Sequence, residues 1–159
     1  MTANASDTPA IIVLLNDVLT AELTAINQYF LHAEILNHWG YRKLGAKVRV
    51  DSIDEMKHAE QIIERVLFLD GLPNVQRLGK INIGETVTEI FRADQALERE
   101  AIPRLNAGIN LCVDHGDHGT RALLDTILAS EEEHLDWIDT QLALIDKLGE
   151  ANYLTQQLG

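Results

Sequence analysis

Cysteine is almost missing from this 159-residue chain, in which Cys112 stands alone. It can close no internal disulfide and, without companion thiols, builds no thiolate metal site, so any metal held here is held by oxygen and imidazole. Proline and glycine are also sparse, at 3 and 10 residues. The breakers gather at Gly40, Asp70 to Gly84, Asp114 to Gly119 and Gly149, leaving long uninterrupted segments between them. Positive charge is in short supply, with 13 basic residues against 25 acidic ones for a net charge of -12. Such a surface repels nucleic acid and anionic membrane and attracts cations. No apolar run reaches the roughly 18 residues of a membrane span, and the polar start MTANASDTP lacks the parts of a secretion signal. A cytoplasmic protein without membrane or nucleic-acid partners is expected. Sustained two-residue alternation is missing too, which argues against a sheet.

What is present is helix. With 46% hydrophobic residues, the chain is long enough for one sizeable core and too short for two, so residues 1–159 are expected to form a single domain. Four long helices are expected near 8–37, 41–69, 85–114 and 117–147, with a short tail helix near 149–157. Each long segment carries an apolar stripe at bundle spacing. The first runs Leu15, Val18, Glu22, Ile26, Tyr29, Ala33, Leu36, and the second Leu44, Val48, Asp51, Glu55, His58, Ile62, Leu69. The third runs Val87, Phe91, Asp94, Glu98, Ala101, Leu105, Cys112, and the fourth Leu124, Ile127, Glu131, His134, Ile138, Leu142, Ile145. A glutamate interrupts every stripe near its middle.

The interruptions are spaced in register. Glu55 follows Glu22 by 33 residues, Glu131 follows Glu98 by 33, and the second of each pair opens an E-x-x-H, at Glu55/His58 and Glu131/His134. The chain reads as two related helical hairpins. The step from Glu55 to Glu98 is 43 residues, and the surplus falls in the Gly-, Pro- and Asn-bearing stretch 70–84. A long crossover between the second and third helices is therefore expected. Because each glutamate sits at mid-helix, packing brings all of them to one level of the bundle.

In E-x-x-H the two side chains share a helix face and reach the same point. Glu132 and Glu133, rotated by about 100° and 200° from Glu131, point elsewhere. The inward set is Glu22, Glu55, His58, Glu98, Glu131 and His134. Four buried carboxylates repel one another and cost several kcal/mol each in desolvation, so they need compensation. Two divalent ions cancel their charge, and oxygen-rich ligation with one nitrogen per ion suits iron or manganese. The two-fold pattern suggests Glu55 and Glu131 as bridges, Glu22 and His58 completing one ion, and Glu98 and His134 the other. The competing reading of these residues is a water-bridged polar network.

Five stretches of this chain, ELTAINQYFLHA (22–33), SIDEMKHAEQIIERVLFLDGLPN (52–74), LGKINIGE (78–85), EEEHLDW (131–137) and NYL (152–154), together with Glu98, are similar to those of the bacterioferritins. The resemblance covers essentially the whole length. It implies an all-α, ferritin-like four-helix bundle with a short C-terminal fifth helix, assembled as a 24-subunit homo-oligomeric cage. It further implies a ferroxidase that oxidises ferrous iron with dioxygen or peroxide at an intrasubunit di-iron centre and stores ferric mineral inside. The six family ligands fall on Glu22, Glu55, His58, Glu98, Glu131 and His134.

The family also binds b-type haem at a two-fold dimer interface through one methionine from each subunit, reduced by a ferredoxin-like partner; the matching residue is Met56. On a helix, Met56 lies about 130° from the mean direction of Glu55 and His58, so it faces away from the core. Val50 and Ile62 depart from bacterioferritins that carry histidine and tyrosine there, positions linked to iron or electron delivery. Pro103, inside the third helix, is expected to kink it just after Glu98.

Other residues have two readings each. Tyr29 and Trp137 are electron donors or hydrogen bonders near the centre, or packing aromatics. Asp51 and Asp94 orient the site histidines or are partly exposed, and Asp54 lines an iron path or is a solvated acid. His32, His38, His115 and His118 lie off the stripes or near helix ends and are given no ligand role; Cys112 is a small core residue. The alternative function is a di-iron or di-manganese oxygenase, peroxidase or catalase acting on a separate substrate, and a non-catalytic bundle with an opportunistic metal is a third.

Overall fold

A computed structural model describes residues 8–159. Four long helices, α1 (Thr8–His38), α2 (Arg42–Phe68), α3 (Val87–Asp114) and α4 (His118–Leu148), are followed by a short α5 (Glu150–Leu154). No strand occurs among the described residues. α1 packs along α2 and α3 along α4, and the two hairpins meet through α1 against α3 and α2 against α4. Residues 69–86 form the expected crossover.

Local chemistry sets the helix ends. At the α1–α2 and α3–α4 turns, Gly40 and Gly116 take the left-handed region at φ 93° and 68°, which a Cβ would strain. The start of α3 lies two residues later than expected because Thr86 caps it, accepting the Glu89 N–H at 3.1 Å, while Glu89 reaches back to the Glu85 N–H at 2.7 Å. Asp117 caps α4 by accepting the Thr120 N–H at 2.9 Å and is also bound by Arg65 of α2 at 2.9 Å, so one side chain ties two helices. The tail helix is shorter than expected, its last residues turning rather than continuing. α3 runs continuously past Pro103.

The core is divided in two. One cluster joins Ala25, Tyr29, Ala33, Leu36, Val48, Phe91 and Ile138 with their neighbours. The other joins Leu15, Leu19, Ile62, Val66, Leu105, Leu124 and Ile127 with theirs. The mid-helix glutamates fall in the sequence gap between these clusters on every long helix, so a polar layer separates the two apolar clusters. The expectation that no stretch is apolar enough to span a membrane does not hold for α1, whose mean hydropathy reaches 1.6. That helix nevertheless buries Glu22, Gln28 and His32 against its neighbours, which marks it as a bundle helix.

A second polar row runs down α1 and fastens the crossover. The Asn16 carboxamide donates to Leu72 O at 3.2 Å and accepts from Asn74 N–H at 2.8 Å. Four residues on, Thr20 accepts from Arg77 at 2.9 Å, and then Thr24 accepts from Gly79 N–H at 2.8 Å. Gln28 accepts from Asn82 N–H at 3.0 Å, and His32 Nε2 from Gly84 N–H at 3.1 Å. Four of these five side chains accept a backbone N–H of a segment without its own ladder, and at Thr20 the donor is the Arg77 side chain.

Candidate metal centre

Glu22, Glu55, His58, Glu98, Glu131 and His134 are all brought together in the polar layer, each buried at 7% exposure or less. Their polar atoms fall into two overlapping groups, Glu22, Glu55, His58 and Glu131, and Glu55, Glu98, Glu131 and His134, with the atoms of each group within 4.8 Å of one another. Nδ1 of His58 lies 3.1 Å from Glu131 Oε1, 3.5 Å from Glu55 Oε2 and 3.6 Å from Glu22 Oε2. Nδ1 of His134 lies 3.0 Å from Glu55 Oε1, 3.5 Å from Glu98 Oε1 and 3.8 Å from Glu131 Oε2. Glu55 and Glu131 therefore give one oxygen to each half, whereas Glu22 and Glu98 each serve one. Two carboxylates thus face both histidines and two face one.

The donor set fits a cation pair on a further observation. Among the described residues, the buried side-chain atoms without a hydrogen-bond partner are one on each of these six residues and on no other. A buried polar atom without a partner costs about 1–3 kcal/mol, and six converging on one point share a single remedy. Hard oxygens with one imidazole nitrogen per half suit iron or manganese.

Electrostatics describes how the centre stands without metal. Burial, and next the charge of Glu55, raise Glu22 well above the ordinary carboxyl range; burial and the neighbouring Glu131 do the same to Glu98. Burial also raises Glu55. Burial would lower the histidines, but the carboxylates that crowd them outweigh it, pushing His58 up to about 12 and raising His134 as well. Glu131 is buried too, yet the nearness of Glu98 and the two histidines holds it below its usual range.

The surroundings bear on several open readings. Tyr29 is buried and donates to Glu98. Trp137 is partly buried, meets Phe91 edge-on at 5.6 Å and carries the Lys47 ammonium 5.0 Å over its ring. His134 Nε2 donates to Asp54 at 3.1 Å and lies 3.5 Å from Asp51, so both aspartates face that imidazole and fix which nitrogen points inward. Asp51 is buried, whereas Asp54 is partly open. Asp94 is buried but serves His32 instead, at 2.8 Å, and accepts from Gln28 at 2.8 Å. His32, which lies off the stripe and was given no ligand role, is fully buried, because α1 faces the crossover as well as its helical neighbours. Glu132 and Glu133 are exposed, as is Met56 at 54%. Val50 is exposed and Ile62 buried in the lower core.

A cavity of about 140 Å³ reaches the centre between α1 and α3, lined by Glu22, Tyr29, Glu55, Glu98 and Glu131 and by Gly79 and Lys80 of the crossover. Sequence reasoning had no access to it, since the crossover has no periodic pattern to place it.

A bundle of this topology with carboxylates and E-x-x-H pairs at mid-height defines a class, and the family model described as Ferritin-like domain matches residues 12–148. Over 93% of this chain and 93% of theirs, it is 51% identical to the bacterioferritin of Mycobacterium tuberculosis. It is 52% identical to that of Streptomyces coelicolor, over 92% of this chain and 88% of the relative, and 43% identical to that of Brucella melitensis, over 91% and 90%. The chain belongs to the bacterioferritin family of ferritin-like proteins.

Proposed function

We propose that this protein is a ferroxidase and iron store, which takes up ferrous iron, oxidises it and deposits ferric mineral within a cage of 24 copies of the chain. The observation that carries the reading is the set of six partnerless buried atoms, one on each of Glu22, Glu55, His58, Glu98, Glu131 and His134. Glu22 and His58 would hold one ferrous ion and Glu98 and His134 the other, with Glu55 and Glu131 spanning both. The carboxylates stabilise the higher charge of the ferric state, and Asp54 keeps the His134 Nε2 proton on the side away from the iron. Tyr29 holds Glu98 in place by its hydroxyl. Dioxygen or peroxide accepts the electrons. Residues 1–159 act as one ferritin-like domain, in the cytoplasm.

The reading extends to a b-type haem. Met56 presents its thioether on the outward face of α2, beside Ile53, which is also exposed. That placement fits an axial ligand contributed at an interface between two subunits. Bound there, a haem supplies one-electron chemistry, with a ferredoxin-like protein as the reductant. The alternative, a di-iron or di-manganese oxidoreductase with a separate substrate, needs a substrate chamber at the centre, and the cavity there has room for little more than small molecules.

Stopped-flow oxidation with about two Fe(II) per subunit tests the reading. Wild-type protein is expected to give a fast phase that Glu131→Ala and His134→Ala lose. Wild-type rates in both variants would refute it.

A further inference from the structure

Asp94 is buried and stands one turn before Glu98 on α3. Its Oδ1 takes two hydrogen bonds from α1, from Gln28 Nε2 at 2.8 Å and from His32 Nδ1 at 2.8 Å. Gln28 and His32 are themselves fully buried. Each also accepts a backbone N–H of the crossover, Gln28 from Asn82 at 3.0 Å and His32 from Gly84 at 3.1 Å. The bonds form one network from crossover to α1 to α3, and none of the six residues of the centre takes part in it.

The crossover amides decide which way the network points. A carboxamide has one accepting and one donating end, and a neutral imidazole one accepting and one donating nitrogen. With the Asn82 N–H on Gln28 Oε1, the carboxamide is held from flipping and its NH2 faces Asp94. With the Gly84 N–H on His32 Nε2, the ring proton sits on Nδ1, again facing Asp94. Two chemically different side chains, one turn apart, thus do the same thing: each turns a crossover donor into a donor for Asp94. Were either to turn round, donor would meet donor and acceptor meet acceptor, which burial penalises.

Tyr29 lies between Gln28 and His32 on α1, donates to Glu98 and has its hydroxyl 3.5 Å from the Asp94 carbonyl. Glu98 is the one ligand that α3 brings to the centre, and it faces His134 alone of the two histidines. We infer that Gln28 and His32 are matched adapters through which the crossover positions Asp94, and that Asp94 in turn sets where α3 presents Glu98, so that the Glu98–His134 half of the centre depends on this network and the Glu22–His58 half does not. The inference rests on the dinuclear reading of the centre and adds to it three positioning residues. Glu22, Glu55 and His58 belong to the α1–α2 hairpin, whereas the network is a bond between hairpins, and its loss acts on the ligand that reaches across from α3.

Equilibrium binding of Co(II) to the metal-free full chain under nitrogen, read by visible absorption, tests this. In a Glu22→Ala background, which leaves the Glu98–His134 half, Asp94→Ala is expected to weaken binding by about tenfold or more. In a Glu98→Ala background, which leaves the Glu22–His58 half, it is expected to change affinity by less than about twofold. His32→Leu should follow the same split to a smaller extent, and His32→Gln, which can again accept from Gly84 and donate to Asp94, should keep the affinity of its background. Near-UV circular dichroism verifies each fold, and the two His32 variants decide the matter if Asp94→Ala does not fold. Equal weakening of both halves, weakening of neither, or a His32→Gln as impaired as His32→Leu would overturn the inference and leave the dinuclear reading standing. A wild-type protein that binds no Co(II) would overturn the dinuclear reading and the inference with it.

Discussion

Replacing Glu98 by glutamine is expected to stabilise the protein without metal and to weaken it with metal. Glu98 is 1% exposed, and its carboxyl is raised well above the ordinary range by burial and then by Glu131 beside it. Without metal its protonated form is therefore favoured by the fold. Glutamine reproduces that form permanently: its carbonyl accepts from the Tyr29 hydroxyl and its amide donates to Glu131. Glutamine avoids the cost of a carboxyl that folding makes harder to ionise, about 1.4 kcal/mol for each tenfold change in its proton affinity. Because a buried amide remains, about 1–2 kcal/mol is expected, or roughly 2–8 °C in Tm for a domain of this size. The pH dependence has a definite sign. A carboxyl whose folded pKa lies above its unfolded one binds more protons folded than unfolded between the two, so it loses stability as pH rises through that window. The advantage of Glu98→Gln should vanish below about pH 4.5 and grow toward neutrality. Zn(II) reverses the order, because two ions at a hundredfold excess over Kd each stabilise by about 2.7 kcal/mol and the amide is a poorer ligand than the carboxylate. Differential scanning calorimetry of both proteins, empty and Zn-loaded, at pH 4.5 and 7 reads all four values. A lower Tm for the empty variant at pH 7, or an undiminished rise with Zn(II), would refute the reasoning.

Loading the centre should release protons, because His58 is raised to about 12 and His134 is raised as well, and each imidazole must shed its proton to ligate. Calorimetric titration in buffers of different ionisation enthalpy is expected to show release of about one proton or more per ion, and affinity rising with pH; binding without proton release contradicts it. Asp117→Ala removes the α4 cap and the bond to Arg65 and should cost about 1–2 kcal/mol in denaturant unfolding. Since hydrogen bonds from Thr120 and Arg65 hold Asp117 below its ordinary value despite its burial, that stability is present above the unfolded pKa and lost as pH falls through the folded one. The two proteins should converge in strong acid, and a constant difference argues against this. Met56→Leu should abolish haem absorbance while leaving iron oxidation nearly unchanged, and a retained haem spectrum rejects Met56 as the ligand.

The centre was legible because its residues break a rule that the rest of each helix keeps. A glutamate in phase with buried leucines, repeated on four helices at equal intervals, has no apolar explanation. Met56 was placed outward by the same geometry. Asp94 was misread because its partner is off the stripes: it serves His32, which the crossover buries, and an irregular segment advertises no face. The row Asn16, Thr20, Thr24, Gln28, His32 does step by four residues, which was the available signal, but polar residues at that interval ordinarily describe a solvated face.

The fastened crossover has a consequence for how the chain tolerates change. Loops usually absorb insertions and deletions at little cost, since closing a slightly longer loop is cheap. Here the contacts from Leu72 to Gly84 meet successive rungs from Asn16 to His32, so the segment is graduated against the helix like a scale against a rule. One residue added near Asn74 would shift every later mark off its rung, and the misfit would accumulate beside Gly79 and Lys80, at the wall of the cavity that reaches the iron centre. The length of an unstructured-looking stretch is thereby as constrained as the spacing of the glutamates it lies across.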